Sequence, residues 1–233
     1  MPKNSRTPRR EESLSRDRIV AVAIDLLDQH GEDGLTFRTL SLQLATGPGA
    51  IYWHVANKTE LLTAACDSIV ARTLDAQAGG SSPIATIRAL ALALFDTIDK
   101  HAWIGAVLTQ TPGNLPMVRI LERLGQPLRA LAVPPERQWS TVFALTSYVL
   151  GVAGQNAANA QQAQRMDGAD RTAFLNSLAT KWSQLDPAVY PFIRSIAPQF
   201  RVHDDRADFL EGVDLILGGI KAAYLRSGTA AKS

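Results

Sequence analysis

Between Leu35 and Leu61 the chain reads LTFRTLSLQLATGPGAIYWHVANKTEL, and its punctuation leaves room for two short helices on a tight turn and little else. Thr46-Gly47-Pro48 interrupts the helical spacing, and Pro48 suits the first turn of a new helix because its missing N–H is not needed there. Thr36 stands where a side-chain cap would open the first of the pair, with Leu35 and Leu40 at staple spacing. Leu40, Leu44, Ile51 and Val55 give the pair an inward edge and leave Gly49, Tyr52 and Trp53 nearer the open side. Asn57 and Glu60, at capping-box spacing, start a longer helix that reaches about Gln77. Tyr52, Trp53 and His54 are three polar-tipped rings in a row on a short helix. Tyr52 or Trp53 taken singly would also fit a core, but together the three are too many to bury and point to a contact surface.

Helical periodicity continues through the rest of the chain, with no alternating run that argues for a sheet, so the fold class is all-α. The first helix runs from about Arg16 to His30. Ser15 caps it, Leu14 and Ile19 form a staple, Ile19, Ala23 and Leu27 fall on one stripe beside Val20 and Ile24, and Gly31 stops it. Gly79-Gly80-Ser81-Ser82-Pro83 is the best domain boundary. Beyond it the pattern predicts helices at about 84–100, 103–108, 115–132, 136–164 and 206–226. A further helix falls near 171–185, with a proline-punctuated stretch of open form up to 203. The expected organisation is a flexible basic arm at 1–14, a three-helix N-terminal domain at 15–78 and a larger helical domain at 83–228.

Residues 1 to 18 hold Lys3, Arg6, Arg9, Arg10, Arg16 and Arg18 against Glu11, Glu12 and Asp17, so a net charge of only +2 is unevenly placed. Such a segment is drawn to polyanions, although a solubilising tail has the same composition. No apolar run approaches a membrane span and the N-terminus has no apolar signal core. The single cysteine, Cys66, excludes an internal disulfide framework and fits a reducing cytoplasm. It reads as packed along the fourth helix, with a redox sensor as the alternative. The histidines at 30, 54, 101 and 203 lack ligand spacing. Gly47-Pro48-Gly49 lacks the lysine and preceding strand of a phosphate loop, and no Gly-x-Ser-x-Gly occurs. No catalytic residue, metal site or cofactor is therefore expected.

Residues 15–62 resemble the N-terminal DNA-binding domain of the TetR family of bacterial transcriptional repressors. The resemblance rests on His30-Gly31, on Gly-Leu-Thr-x-Arg at Gly34 to Arg38, and on Ile-Tyr-Trp-His-Val-x-Asn-Lys at Ile51 to Lys58, with the family's spacing between them. Two short helices on a tight turn are the format that places one helix in a DNA major groove. Arg38 is suited to bidentate hydrogen bonding with guanine, and the resemblance implies that role. It also implies that Tyr52 touches bases or their backbone and that Trp53, His54 and Lys58 hold phosphates. Thr36, Pro48, Gly49 and Ala50 complete the expected DNA face. One departure matters: at Gly47-Pro48-Gly49-Ala50 no side chain can hydrogen-bond a base edge. Specificity there rests on van der Waals contact, thymine methyls or backbone approach, and leans on Arg38, Tyr52 and an arm that follows the backbone or enters a minor groove.

In the C-terminal part, Trp139, Phe143, Thr146, Leu150 and Ala153 trace one stripe, with Val142, Val149 and Val152 on its flank. The last helix carries Phe209, Val213, Ile216, Ile220 and Tyr224, with Leu210 and Leu217 on another side. Helices apolar over more than one face need covering twice, by their own domain and by a partner, or once by a fuller monomeric core. The resemblance implies a four-helix homodimer interface, here with Phe143, Leu150, Phe209, Val213, Ile216 and Ile220. A pocket for a small apolar or amphipathic effector is expected from Phe95, His101, Trp103, Leu108, Tyr148, Gln155 and Asn156, each of which also fits ordinary core packing. The resulting expectation is a cytoplasmic, nucleoid-associated homodimeric repressor on palindromic double-stranded operator DNA, released by its effector. A constitutive or activating regulator is one alternative, and a small helical enzyme or carrier another.

Overall fold

The computed structural model describes residues 14–77, 79–110, 113–165 and 171–225. Of the expected basic arm only Leu14 falls among them. No strand occurs among the described residues, so the chain is all-α. The chain divides into two compact units, Met1–Ser68 and Ile69–Ser233.

The first unit contains α1 (Arg16–Gly34), α2 (Phe37–Gln43), α3 (Pro48–Tyr52) and the opening of α4 (Lys58–Ala76). Ser15 caps α1, its side chain accepting from the Arg18 N–H. Gly31 then breaks the helix, adopting φ 65°, a region that a residue with a Cβ enters only under strain. Thr36 and Thr39 cap α2 reciprocally: each side-chain oxygen accepts from the other's backbone N–H at 3.0 Å. Pro48 occupies the first turn of α3, as its chemistry dictates. At five residues that helix is too short to persist on its own hydrogen bonds. It is held instead by burial of Ile51 and Val55 beside Leu40 and Leu44 of the α2 segment. Each fully buried aliphatic side chain contributes about 1.5–3 kcal/mol. The helix ends at Tyr52, so Trp53 and His54 lie in the turn that follows it, not on it.

Asn57 caps α4, accepting from the Glu60 N–H at 2.8 Å. The expected reciprocal bond is displaced by one residue, because Glu60 accepts from Ala56 and not from Asn57. Cys66 is fully buried, and burial pushes its thiol up to about 12.

The division between units falls inside α4, while Gly79 to Pro83 separates α4 from α5 (Pro83–Lys100) within the second unit. There follow α6 (Trp103–Gln110), α7 (Leu115–Ala130), α8 (Pro135–Arg165), α9 (Arg171–Ser183), α10 (Pro191–Ile196) and α11 (Asp205–Ile220). The core of this unit lies among α5, α7, α8 and α11. It buries Ile87, Leu90, Leu94 and Ile98 of α5 against Leu145, Val149 and Ala153 of α8 and Val213 and Leu217 of α11. α7 stops at Ala130, short of the expected 132, because the chain turns with Ala132 at φ 57°. The proline-punctuated stretch resolves into α10 and a 3-10 turn at Gln199–Val202, both packed on α9. The last helix leaves α geometry at Ile220 and continues as a π turn over Lys221–Leu225. Among the described residues no helix is long and apolar enough to cross a membrane.

Candidate nucleic-acid interface

The helix-turn-helix presents its polar and aromatic side chains on one rigid support. Beneath it, Leu35, Leu40, Ile51 and Val55 are essentially inaccessible to solvent. Above it, Thr36, Arg38, Pro48 and Gly49 are exposed, and Ala50, His54 and Lys58 are half-buried. Trp53 is 90% exposed and Tyr52 54%, so two adjacent rings are open to contact from solvent. Arg38 lies in the first turn of α2, where its guanidinium is free of the buried face.

Lys58 donates from Nζ to the Glu32 backbone carbonyl at 2.7 Å and lies 4.0 Å from the Glu32 carboxylate. That contact ties the start of α4 to the end of α1 and holds the ammonium at the surface. Both partners are substantially exposed, so a phosphate can replace the carboxylate at small cost. Arg16 donates to Glu60 Oε1 at 3.1 Å, while Glu60 Oε2 accepts from Ala56 N at 2.8 Å. The Ala56 N–H and then Arg16 hold the Glu60 carboxyl below its usual range.

Two exposed or half-exposed side chains of this face were not anticipated. Leu42 of α2 is 72% exposed, and Phe37 stacks on Tyr52 with ring centroids 4.4 Å apart and planes at 6°. Nothing in helical spacing announces the stack, because its rings belong to different helices.

The residues expected to line an effector pocket are dispersed. Phe95 and Asn156 do line a cavity of about 490 Å³, together with Asp96, Asp99, Ala160, His203, Asp204, Asp205 and Arg206. Its wall is mostly polar and ion-paired: Arg206 bonds both oxygens of Asp96, and Asn156 donates to Asp99 at 2.7 Å. The Asp96 carboxylate raises the Arg206 guanidinium above its ordinary value. The other expected residues lie elsewhere. His101 closes the end of α5, Trp103 and Leu108 are buried on α6, and Gln155 is exposed. Tyr148 packs on Phe209 at 5.7 Å and donates to the Phe209 carbonyl at 3.1 Å.

Of the expected dimer residues, Phe209, Val213 and Ile220 are buried within one chain and so have no surface left for a partner. Ile216 and Leu150 are half-buried, and Phe143 is 55% exposed. The apolar surface of these helices lies instead at Trp139, stacked on Phe143 at 5.7 Å, and at Leu215, 78% exposed. A stripe of apolar residues at helical spacing reads the same whichever neighbour covers it.

The sequence model of the tetR family of bacterial regulatory proteins matches residues 19–65. That of the tetracyclin repressor-like C-terminal domain matches residues 80–224. The chain is 42% identical over 62 residues to the tetracycline repressor protein class D of Escherichia coli, a match covering 27% of this chain and 28% of the relative. Among solved structures, the TetR-type transcriptional regulator SCO7222 of Streptomyces coelicolor is 47% identical. It covers 91% of this chain and 99% of its own, with a TM-score of 0.80. The fold is also that of ActR from Streptomyces coelicolor, solved in complex with actinorhodin. That likeness has 23% identity, covers 94% of this chain and 100% of the other, and has a TM-score of 0.76. With both halves matched, and with a likeness this extensive to SCO7222, the chain belongs to the tetR family of bacterial regulatory proteins.

Proposed function

We propose that this chain is a ligand-responsive transcriptional repressor that binds a palindromic operator as a homodimer and releases it when a small effector occupies the C-terminal unit. The observation that carries the reading is the exposed Arg38, Tyr52 and Trp53 on a support of fully buried Leu40, Ile51 and Val55. Phosphate contacts fix register and base contacts specify sequence. Lys58, Trp53 and His54 take the first role, and Arg38 and Tyr52 the second. Thr36 opens α2 and Pro48, Gly49 and Ala50 open α3, where they meet the groove by close apolar and backbone approach.

Two copies join through the outward sides of α8 and α11, where Trp139, Phe143 and Leu215 stand in solvent within one chain. Leu150 and Ile216 flank them. The two α3 helices then reach successive major grooves about 34–36 Å apart. The effector is a small apolar or amphipathic molecule held in the C-terminal unit, where Asp96, Asp99, Asp204 and Asp205 line the cleft and Arg206 and Asn156 pair with Asp96 and Asp99. It releases DNA only by binding a DNA-incompetent conformer more tightly than the bound one. The protein acts in the cytoplasm, on the nucleoid.

The test is selection of bound duplexes from random DNA, repeated with a metabolite library. A palindromic consensus whose binding is lost with one class of metabolite supports the proposal. Selection without any consensus contradicts it.

A further inference from the structure

Few side chains can read sequence at this interface. Pro48, Gly49 and Ala50 open α3 without a side-chain hydrogen-bonding group, so the groove-facing turn offers backbone and apolar contact only. Tyr52 closes the same helix and is more than half exposed. A ring at the end of a five-residue helix would ordinarily sample several rotamers, and ordering it on DNA would cost affinity. Here it does not stand alone. Phe37, the first residue of α2 and itself half-buried, lies parallel to it at 4.4 Å and 6°. The stack therefore joins the two helices of the motif through their side chains. It also sits directly before Arg38 in the chain, so one end of α2 carries both the guanidinium and the ring that orients Tyr52.

We propose that Phe37 is a specificity-determining positioning residue: its ring holds Tyr52 in the pose in which Tyr52 meets the base pairs. This rests on the reading of Tyr52 as a DNA contact. The stack is uncharged, so it acts on discrimination between sequences and leaves counterion release untouched.

The experiment uses the full chain, an operator selected from random duplexes, its single-base substitutions and a random duplex, each over a salt series. The variants are Phe37→Ala, Phe37→Leu, Phe37→Tyr, Tyr52→Ala and the Phe37→Ala/Tyr52→Ala pair. Phe37→Ala and Phe37→Leu should each weaken operator binding about 2- to 12-fold per half-site, the range of an aromatic pair. The loss on random DNA should be smaller, base preference should flatten at one step, and the salt slope should stay the same. Phe37→Tyr should restore binding. In the Tyr52→Ala background Phe37→Ala should add nothing. Equal losses on operator and random DNA overturn the proposal, as does a Phe37→Leu variant indistinguishable from Phe37→Tyr. So does a Phe37→Ala loss that persists without Tyr52. If Tyr52→Ala itself leaves operator binding intact, the DNA-contact reading of Tyr52 fails and takes the proposal with it. Phe37→Leu keeps the apolar burial, so the comparison with Phe37→Tyr stands even if Phe37→Ala unfolds the domain.

Discussion

Gly212 of α11 lies against the Tyr148 ring of α8, and substituting alanine there sets two opposing effects against each other. A Cβ at position 212 would lie 1.8 Å from Tyr148 Oη and 2.4 Å from its Cζ, separations that no pair of atoms tolerates. The tip of a free side chain could swing aside, but Tyr148 is held by its stack on Phe209 and its hydrogen bond to the Phe209 carbonyl. Moving it forfeits an aromatic pair, about 0.5–1.5 kcal/mol, and a hydrogen bond, about 0.5–1.5 kcal/mol. Against this, alanine in a helix interior is favoured over glycine by about 0.8–1 kcal/mol. The balance is a destabilisation of roughly 1 kcal/mol, and at most about 2, for Gly212→Ala. In a domain of this size that is a fall in Tm of about 2–4 °C per kcal/mol. The assay is denaturant unfolding at fixed protein concentration, with stability read from midpoints at constant slope. In a Tyr148→Ala background the steric conflict is gone, and Gly212→Ala should turn stabilising by up to about 1 kcal/mol. A Gly212→Ala variant more stable than the parent, or one equally destabilised with and without the Tyr148 ring, would show that the ring does not oppose the substitution.

Ile51→Ala should destabilise the N-terminal unit by about 2–5 kcal/mol and abolish operator binding, because α3 is held by that fully buried side chain; unchanged binding and melting would contradict this. Cys66, with its thiol pushed up to about 12 by burial, should resist alkylation near pH 8 until the protein is denatured, and rapid labelling of the native chain would count against its burial. Because the fold lowers the Glu60 carboxyl, its contribution is present above the ordinary carboxylate range and is lost as pH falls through the lowered value. Glu60→Gln should therefore lose less stability between about pH 6 and pH 3 than the parent, by under about 1 kcal/mol given the exposure of the pair. A variant with the parent's acid profile would show that the Ala56 and Arg16 contacts do not stabilise the ionised Glu60 carboxyl.

How far the sequence is legible follows from how local each determinant is. The caps at Ser15, Thr36 and Asn57, the stop at Gly31 and the start at Pro48 act within a few residues of themselves, and all are present. The inward edge of Leu40, Leu44, Ile51 and Val55 repeats at helical spacing and is buried as expected. The Phe37–Tyr52 stack depends on how two helices meet, so no spacing rule reveals it. The same holds for Phe209 and Val213. Their stripe demanded a covering neighbour, and the neighbour is their own chain, in which Phe209 stacks on Phe95 at 4.5 Å. The pocket was the least legible feature, because a cavity is a property of packing and its polar wall draws Asp204, Asp205 and Arg206 from the opening of α11.

Whether the exposed face of α2 and α3 reads DNA sequence is decided by Arg38→Ala. Affinities should be measured for the parent and the variant on the selected operator, on every single-base substitution of it, and on random DNA at fixed salt. The expected result is a loss of discrimination of about 1–3 kcal/mol at one base pair per half-site, with preferences elsewhere retained. Equal losses on operator and random DNA would contradict it.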